Sequence, residues 1–280
     1  YSALYMANIS SVIASCYQKN NITNIWGIRS SDYSDIPKVL RFLRYFAKLL
    51  SPNVDLCISN SSAGEADHKK LGFRPKKWVT IPNIITHSTK QIDEDKLYDD
   101  TLNICMLSRV VPFKNHLFAI QGFEIAQSLT SKKLKLTIAG SGTEAYVGAL
   151  KAYVKQKQIK NVNFIGPVED PTAFLTKHSV YILSSNGGEG FPNSLGEAMC
   201  CGLICTSSNC GDAEKIIGDK EMIFSLEHPK YLAHRLVRIA MMTPEQLVHT
   251  CKQNVLRTET LFHEQVVLGQ YIEYLRGKNG

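Results

Sequence analysis

Between Val180 and Ser208 the chain reads VYILSSNGGEGFPNSLGEAMCCGLICTSS, and few architectures can use that order of residues. Val180–Leu183 is a short apolar, β-prone run, and Ser184–Gly190 is broken up by Asn and Gly as loops are. Pro192 and Asn193 open a helix, Gly202 stops it, and a second apolar run, Leu203–Cys205, follows at once. Strand, helix and strand in so short a span form a βαβ unit, whose strands run parallel and are buried on both faces. Ligands of open parallel sheets bind in the crevice beyond the carboxyl ends of the strands, which is where the 184–190 loop falls.

Loop and helix carry two carboxylates, Glu189 and Glu197, with seven residues between them. The start of a helix presents unpaired N–H groups and the positive end of the helix dipole, which suits a phosphate. Carboxylates beside it can accept hydrogen bonds from a sugar or a ribose. Taken singly, Glu189 reads as a solvated loop acid and Glu197 as a favourable first-turn charge. Taken together within EGFPNSLGEAMCCG they describe a place for an anion next to a hydroxyl-rich ligand, as a nucleotide-sugar is.

Helix and strand alternate along the rest of the chain. Residues 2–19, 36–50 and 62–71 read as helices, and Ile25–Arg29, Val54–Ser59 and Trp78–Ile81 as strands. This is α/β material through residue 86, short of a whole doubly wound domain of roughly 100–150 residues. Residues 87–100, HSTKQIDEDKLYDD, are polar and irregular and read as a linker. A second α/β domain, over 101–260, opens with the strand Leu102–Leu107, a helix over His116–Leu129 and the strand Leu134–Ala139. Gly140-Ser-Gly142-Thr-Glu-Ala145 then matches G-x-G-x-x-A, for which an NAD-binding fold is the rival reading. The acid that such a fold places about 20 residues on is not found at the end of the next strand, where Val162–Gly166 runs into Pro167. Met222–Phe224 reads as the last strand, followed by helices over 228–242 and 244–258. Val266, Val267, Tyr271, Ile272 and Leu275 give the tail, 261–280, a helical spacing.

Composition matters here mainly through charge. Of the net +7, a surplus of six lies in residues 1–86, with eleven Lys/Arg against five acids. Such a bias favours an anionic partner: a diphosphate, lipid headgroups or nucleic acid. Ile36–Leu50 sets Lys38, Arg41, Arg44 and Lys48 at helical intervals beside a Leu/Phe/Val face. That pattern fits an interfacial membrane helix or a core helix with a solvated basic face. No run approaches the ~18 apolar residues of a membrane span, and no signal peptide is visible, so a cytoplasmic location is expected. The eight Cys form no CxxC pair and no zinc spacing, which predicts buried free thiols in a reducing compartment.

These blocks resemble a known family. EGFPNSLGEAM, followed two residues later by Gly, is similar to the E-x7-E region of the retaining family-4 glycosyltransferases, and SRVVPFKN to their R-x4-K motif. NIWGIRSSD, VDLCISNSSAGEADHKKLGF and VTIPN resemble the second half of that family's N-terminal domain, although Ile84 stands where the family usually has Gly. The resemblance implies a GT-B fold, two Rossmann-like α/β domains with parallel sheets. It also implies that the start of the N-terminal domain lies outside this sequence and that the terminal helix crosses back onto that domain.

By the same resemblance, sugar passes from a nucleotide-sugar of UDP or GDP type to a glycan or lipid-linked acceptor, with retention of configuration. No cofactor, no metal and no nucleic-acid partner is expected. Asp93-Glu-Asp95 spells the DxD pattern of metal-dependent sugar transferases but reads as a solvated linker run. Arg109 and Lys114 would hold the diphosphate, neutralising a leaving group that lacks a metal. Glu189, with the backbone of Gly190, Phe191 and Pro192, would hold sugar hydroxyls. Asn193 lies in the same block, Ser194 and Leu195 would offer N–H groups to phosphate, and Glu197 would bind the ribose. Gly140 and Gly142 would line the donor site, Ile165 and Gly166 would meet the base, and the acceptor would sit near Arg29. Surface-polysaccharide assembly at the cytoplasmic membrane face is the expected setting. An inactive nucleotide-sugar binder is the alternative.

Overall fold

The computed structural model describes residues 2–17, 22–29, 31, 37–86 and 94–276. It divides into two compact units: Tyr1–Asn83 with Gly187–Phe191 and Val267–Gly280, and Ile84–Asn186 with Pro192–Val266.

The first unit holds a four-stranded parallel sheet in the order β1 (Ser2–Ala3), β2 (Ile25–Ile28), β3 (Leu56–Ser59), β4 (Trp78–Thr80). Its helices are α1 (Tyr5–Cys16), α2 (Lys38–Leu50) and α3 (Ser62–Lys70). The helix expected from residue 2 begins only at Tyr5, because Ser2 and Ala3 pair in register with Trp26 and Gly27 instead. β3 alternates its side chains between two cores, as a period of two requires. Cys57 joins Trp26, Ile28, Val54 and Phe73 on one face, while Leu56 and Ile58 join Val79, Ile81 and Val267 on the other. Tyr271 and Tyr274, from the last helix, α11 (Glu264–Arg276), pack on that second core.

Helix α2 gives Ala47 to the first core, with Leu50 packed against it. Ala47 is its buried residue, while Val39, Phe42, Tyr45 and Leu49 are 69%, 61%, 55% and 53% exposed. Both readings of this segment thus keep support: a core face at Ala47 and Leu50, and exposed apolar side chains beside the basic ones. Among the described residues no helix is long and apolar enough to cross a membrane.

The second unit holds six parallel strands: β5 (Thr101–Leu107), β6 (Lys133–Ala139), β7 (Val162–Gly166), β8 (Val180–Leu183), β9 (Ile204–Ser208) and β10 (Ile223–Phe224). Their spatial order is β10-β9-β8-β5-β6-β7. The chain lays down β5, β6 and β7 in one direction, returns, and lays down β8, β9 and β10 in the other. The reversal falls between β5 and β8, the place where ligands of doubly wound sheets bind. The helices are α4 (His116–Leu129), α5 (Glu144–Gln156), α6 (Pro171–Leu175), α7 (Asn193–Cys200), α8 (Ala213–Ile217), α9 (Lys230–Ala240) and α10 (Pro244–Phe262).

The βαβ unit read from the sequence is present, with β8 and β9 parallel from Val180↔Ile204 to Leu183↔Ser207 and buried throughout. Its second strand is longer than the apolar run Leu203–Cys205. Thr206, Ser207 and Ser208 continue it, because their buried hydroxyls donate to the carbonyl oxygens of Met222, Ser208 and Ser185 at 2.7, 2.8 and 2.7 Å. Hydroxyls satisfied in this way carry no burial penalty, so turn-forming residues sit inside a central strand.

Candidate functional site

At the carboxyl end of β5 the chain passes through Ser108 and Arg109, makes a 3₁₀ turn over Pro112–Lys114, and enters α4 through Asn115 at φ 52°. Arg109 is exposed and Lys114 half-buried, its Nζ 5.4 Å from the Phe113 ring centre. The loop after β6 lies directly against this segment. The Ser108 N–H donates to Ala139 O at 3.1 Å, and the Val110 N–H to Ser141 O at 2.7 Å. Gly140 has φ +140°, and a Cβ there would stand 1.8 Å from the Ser108 carbonyl oxygen. A Cβ on Gly142 would stand 2.5 Å from Val110 O. The Gly140 N–H also donates to Gly166 O at 2.7 Å. The G-x-G pattern thus serves close backbone packing, which joins the ends of β5, β6 and β7.

The end of β8 is tied to the same loop from the other side. Ser184 Oγ donates to the carbonyl oxygens of Lys114 and Asn115 at 2.9 and 3.1 Å, and the Asn186 N–H to Phe113 O at 2.9 Å. Tyr181, 1% exposed, reaches Ser194 Oγ at 2.8 Å and Leu107 O at 3.3 Å through its hydroxyl. Arg109, Lys114 and the start of α7 are therefore organised around the reversal point of the sheet.

At the start of α7 the Leu195 N–H donates to Pro192 O at 3.1 Å. Glu197 is the fifth residue of the helix, beyond the first turn, and does not act as a first-turn charge. It is half-buried, and that burial pushes its carboxyl above the ordinary range. Ser194 and Glu197, three residues apart, lie on one face of α7.

The remaining predicted residues belong to the first unit. Arg29, exposed at the end of β2, donates through Nη1 to Asn83 Oδ1 at 2.8 Å. Asp32, the acid expected to pair with Arg29 if the arginine is only a strand-end charge, lies outside the described residues, as does Asp93 of the Asp-Glu-Asp run. Glu189 is half-buried, Gly190 and Phe191 are buried, and Ser31 Oγ donates to Glu189 O at 2.5 Å. The predicted set thus separates into Arg29, Glu189, Gly190 and Phe191 in one unit and Arg109, Lys114, Gly140, Gly142, Ile165, Gly166, Pro192, Asn193, Ser194, Leu195 and Glu197 in the other.

Sequence reasoning missed Tyr181, Ser184 and His116. A Tyr in an otherwise aliphatic buried strand and a His directly behind a basic loop are the available signals. His116 is fully buried, with Nε2 3.3 Å from Ser108 Oγ and no partner for Nδ1 among the described residues. Burial, helped by Lys114, lowers its pKa to about 4.

A cavity of about 750 Å³ opens elsewhere, between α5 and the β6–β7 edge, lined in part by Lys135, Lys151, Lys155, Asn163 and Phe164. Of the predicted residues it includes Ile165, 50% exposed, and not the basic loop or α7. The strand reversal is the better guide to the chemistry, because the basic loop is tied to the end of β8 there and Tyr181 links the end of β5 to the start of α7. Among the described residues no group of three or more His, Cys, Asp or Glu is placed to hold a metal ion. Cys57, Cys105, Cys200, Cys201, Cys205, Cys210 and Cys251 are buried thiols outside any disulfide.

A model of the family described as glycosyl transferases group 1 matches residues 101–241, just over half of the chain. No curated protein matches the sequence. Anabaena HepE in complex with UDP aligns with a TM-score of 0.84 at 18% identity, over 99% of this chain and 79% of its own. Sucrose-phosphate synthase from Thermosynechococcus elongatus aligns at 0.78 and 18%, over 99% and 73%. The pneumococcal O-GlcNAc transferase GtfA, in complex with UDP and GlcNAc, aligns at 0.68 and 16%, over 91% and 52%. At such identities the likeness establishes the fold, the mixed α/β, parallel-sheet GT-B class. The family model begins at the first residue of β5 and ends just past α9, spanning every strand of the six-stranded sheet. On that match the chain belongs to the glycosyl transferases group 1 family.

Proposed function

We propose that the protein transfers a sugar from a nucleotide-sugar to a glycan or lipid-linked acceptor with retention of configuration, in the manner of the family-4 enzymes. One observation supports this reading: the loop that carries Arg109 and Lys114 follows β5 at the point where the strand order reverses, and Tyr181 links the end of β5 to Ser194 at the start of α7. Two cations and a helix start can meet the charge that develops on a departing diphosphate. The reading asks for no metal and no cofactor. Glu189 holds sugar hydroxyls, assisted by the backbone of Gly190, Phe191 and Pro192. Glu197 holds the ribose, and Ile165 and Gly166 meet the base. Attack on the face that the diphosphate leaves needs leaving-group stabilisation and positioning more than a protein nucleophile. HepE is seen with UDP and with UDP-glucose, which favours a uridine donor over a guanosine one.

The acceptor belongs with the first unit, near Arg29. The cationic surplus of residues 1–86 and the exposed apolar side chains of α2 support a lipid-linked acceptor and peripheral contact with the cytoplasmic face of a membrane, as surface-polysaccharide synthesis requires.

Thermal-shift titration with UDP, GDP, NAD and a nucleotide-sugar panel tests the donor site. A ligand at 100 times its dissociation constant stabilises by about 2.7 kcal/mol. A shift with one nucleoside diphosphate that disappears in Arg109→Ala/Lys114→Ala is the expected result. Stabilisation by NAD alone would overturn the reading. Donor binding without transfer to any acceptor would favour a non-catalytic binder.

A further inference from the structure

We propose that Ser31 is a positioning residue for the sugar of the donor, acting through Glu189. The inference rests on the role given to Glu189 above and goes beyond it by naming what holds that residue in place.

Glu189 follows β8 in the chain but groups with the first unit, in the segment Gly187–Phe191. Asn186, just before that segment, is still tied to the basic loop, its N–H donating to Phe113 O at 2.9 Å. Gly187 and Gly188 come next at φ 141° and 73°, backbone angles that residues with a side chain rarely adopt. Directly after them the Glu189 carbonyl oxygen accepts from Ser31 Oγ at 2.5 Å, 158 residues away in the chain. Two glycines thus let the main chain leave the loop after β8, and Ser31 takes hold of it at the first residue with a carboxylate.

Ser31 is well placed to do so. It is 7% exposed and stands three residues beyond β2, a strand paired on both sides, with β1 and β3. A buried side chain on so short a lead from a rigid strand has little room to move. Serine hydroxyls commonly return to a nearby carbonyl. Ser11, Ser15, Ser51 and Ser128 do this, donating to the residue three earlier at 2.8, 2.7, 2.7 and 2.7 Å. Ser31 makes no such local bond among the described residues, and its proton goes to the main chain of Glu189. Fixing that main chain fixes the point from which the carboxylate reaches sugar hydroxyls, and a misplacement of about 1 Å at a positioned group costs about 100-fold in rate. Arg29, on the acceptor side, stands two residues earlier, so one short segment serves acceptor and donor sugar alike. Other residues hold the nucleotide, and the effect of Ser31 is therefore confined to ligands that carry the sugar.

Calorimetric titration of UDP and of UDP-glucose into wild type, Ser31→Ala, Glu189→Ala and the double variant tests the proposal, with a melting curve for each. Ser31→Ala should weaken UDP-glucose about fivefold, the size of one neutral hydrogen bond, and leave UDP unchanged. In the Glu189→Ala background the same substitution should have no further effect, because Ser31 acts through that carboxylate. Wild-type UDP-glucose affinity in Ser31→Ala would overturn the proposal, as would equal weakening of UDP and UDP-glucose or losses that multiply in the double variant. Should Ser31→Ala fail to fold, Ser31→Cys, of nearly the same shape but a weak donor, takes its place with the same expected outcomes. A wild type that binds neither ligand would overturn the donor site as well. Unchanged UDP-glucose affinity in Glu189→Ala would overturn the role of Glu189 on which the inference rests. Loss of UDP-glucose in Glu189→Ala, with Ser31→Ala unaffected, overturns only this inference.

Discussion

Ser184 Oγ donates to the main-chain oxygen of Lys114 at 2.9 Å, joining the end of β8 to the loop after β5 across the point where the strand order reverses. A neutral hydroxyl, fully buried, thus sets the position of a cation without touching its charge. Functional groups on loops are held by such contacts with the rigid sheet beneath them.

Replacing Ser184 by Ala should therefore be felt twice. Leaving buried carbonyl groups short of a donor costs about 1–3 kcal/mol, which equilibrium urea unfolding will read. UDP affinity should fall as well, because Lys114 loses its fixed main chain. Unchanged UDP affinity in a destabilised protein would separate the contact from the binding site.

Three glycines separate steric from conformational need. Ala at Gly148, inside α5 with nothing within 4 Å, should raise stability by up to about 1 kcal/mol. Ala at Gly166, equally uncrowded but at φ +75°, should cost about 1–2 kcal/mol. Ala at Gly140 must push the Ser108 carbonyl aside from 1.8 Å and should cost at least about 3 kcal/mol. Unfolding midpoints out of this order would show that the loops after β5 and β6 relax freely.

His116 predicts an acid-labile stability. Its folded pKa of about 4 lies below the ordinary 6.5, so between those values the unfolded chain binds the extra proton. Its contribution is present above 6.5 and is lost as pH falls toward 4. His178, also lowered by burial, adds in the same sense. The melting temperature of His116→Gln should fall less steeply over this range than that of wild type, and parallel curves would refute the assignment.

Glu197 predicts a pH effect on binding. Burial raises its carboxyl pKa, so it protonates earlier on acidification than an exposed Glu. A protonated carboxyl accepts ribose hydroxyls less well. Nucleoside affinity should weaken as pH falls toward the carboxylate range in wild type and stay flatter in Glu197→Gln, measured by titration with uridine.

Helix α2 predicts lipid binding. Phe42 and Phe46, with ring centres 4.6 Å apart, lie among exposed apolar side chains beside Arg41, Arg44 and Lys48. Co-sedimentation with anionic vesicles should be lost on charge reversal at Arg41, Arg44 and Lys48. Unaltered vesicle binding would sink the membrane contact.

Much of this was legible because the relevant signals are local. Alternation of apolar runs with turn residues placed Val180–Leu183 as a strand and the helix after Pro192, since strand and helix periodicities act over a few neighbours. The basic loop at Arg109 and Lys114 and the Glu189/Glu197 pair were equally visible as side-chain chemistry at fixed spacing. What the chain could not disclose alone depends on contacts between segments far apart in it. The order β10-β9-β8-β5-β6-β7 puts the loop after β5 beside the loop after β8, and only there does Ser184 meet Lys114, 70 residues before it in the chain. Thr206 and Ser208, of types that favour turns, became strand because the distant carbonyls of Met222 and Ser185 satisfied their hydroxyls. The start of α7 follows the same rule. Its first turn is shaped by Pro192, whose carbonyl oxygen accepts from the Leu195 N–H at 3.1 Å, and by Tyr181 of the neighbouring strand, whose hydroxyl lies 2.8 Å from Ser194 Oγ.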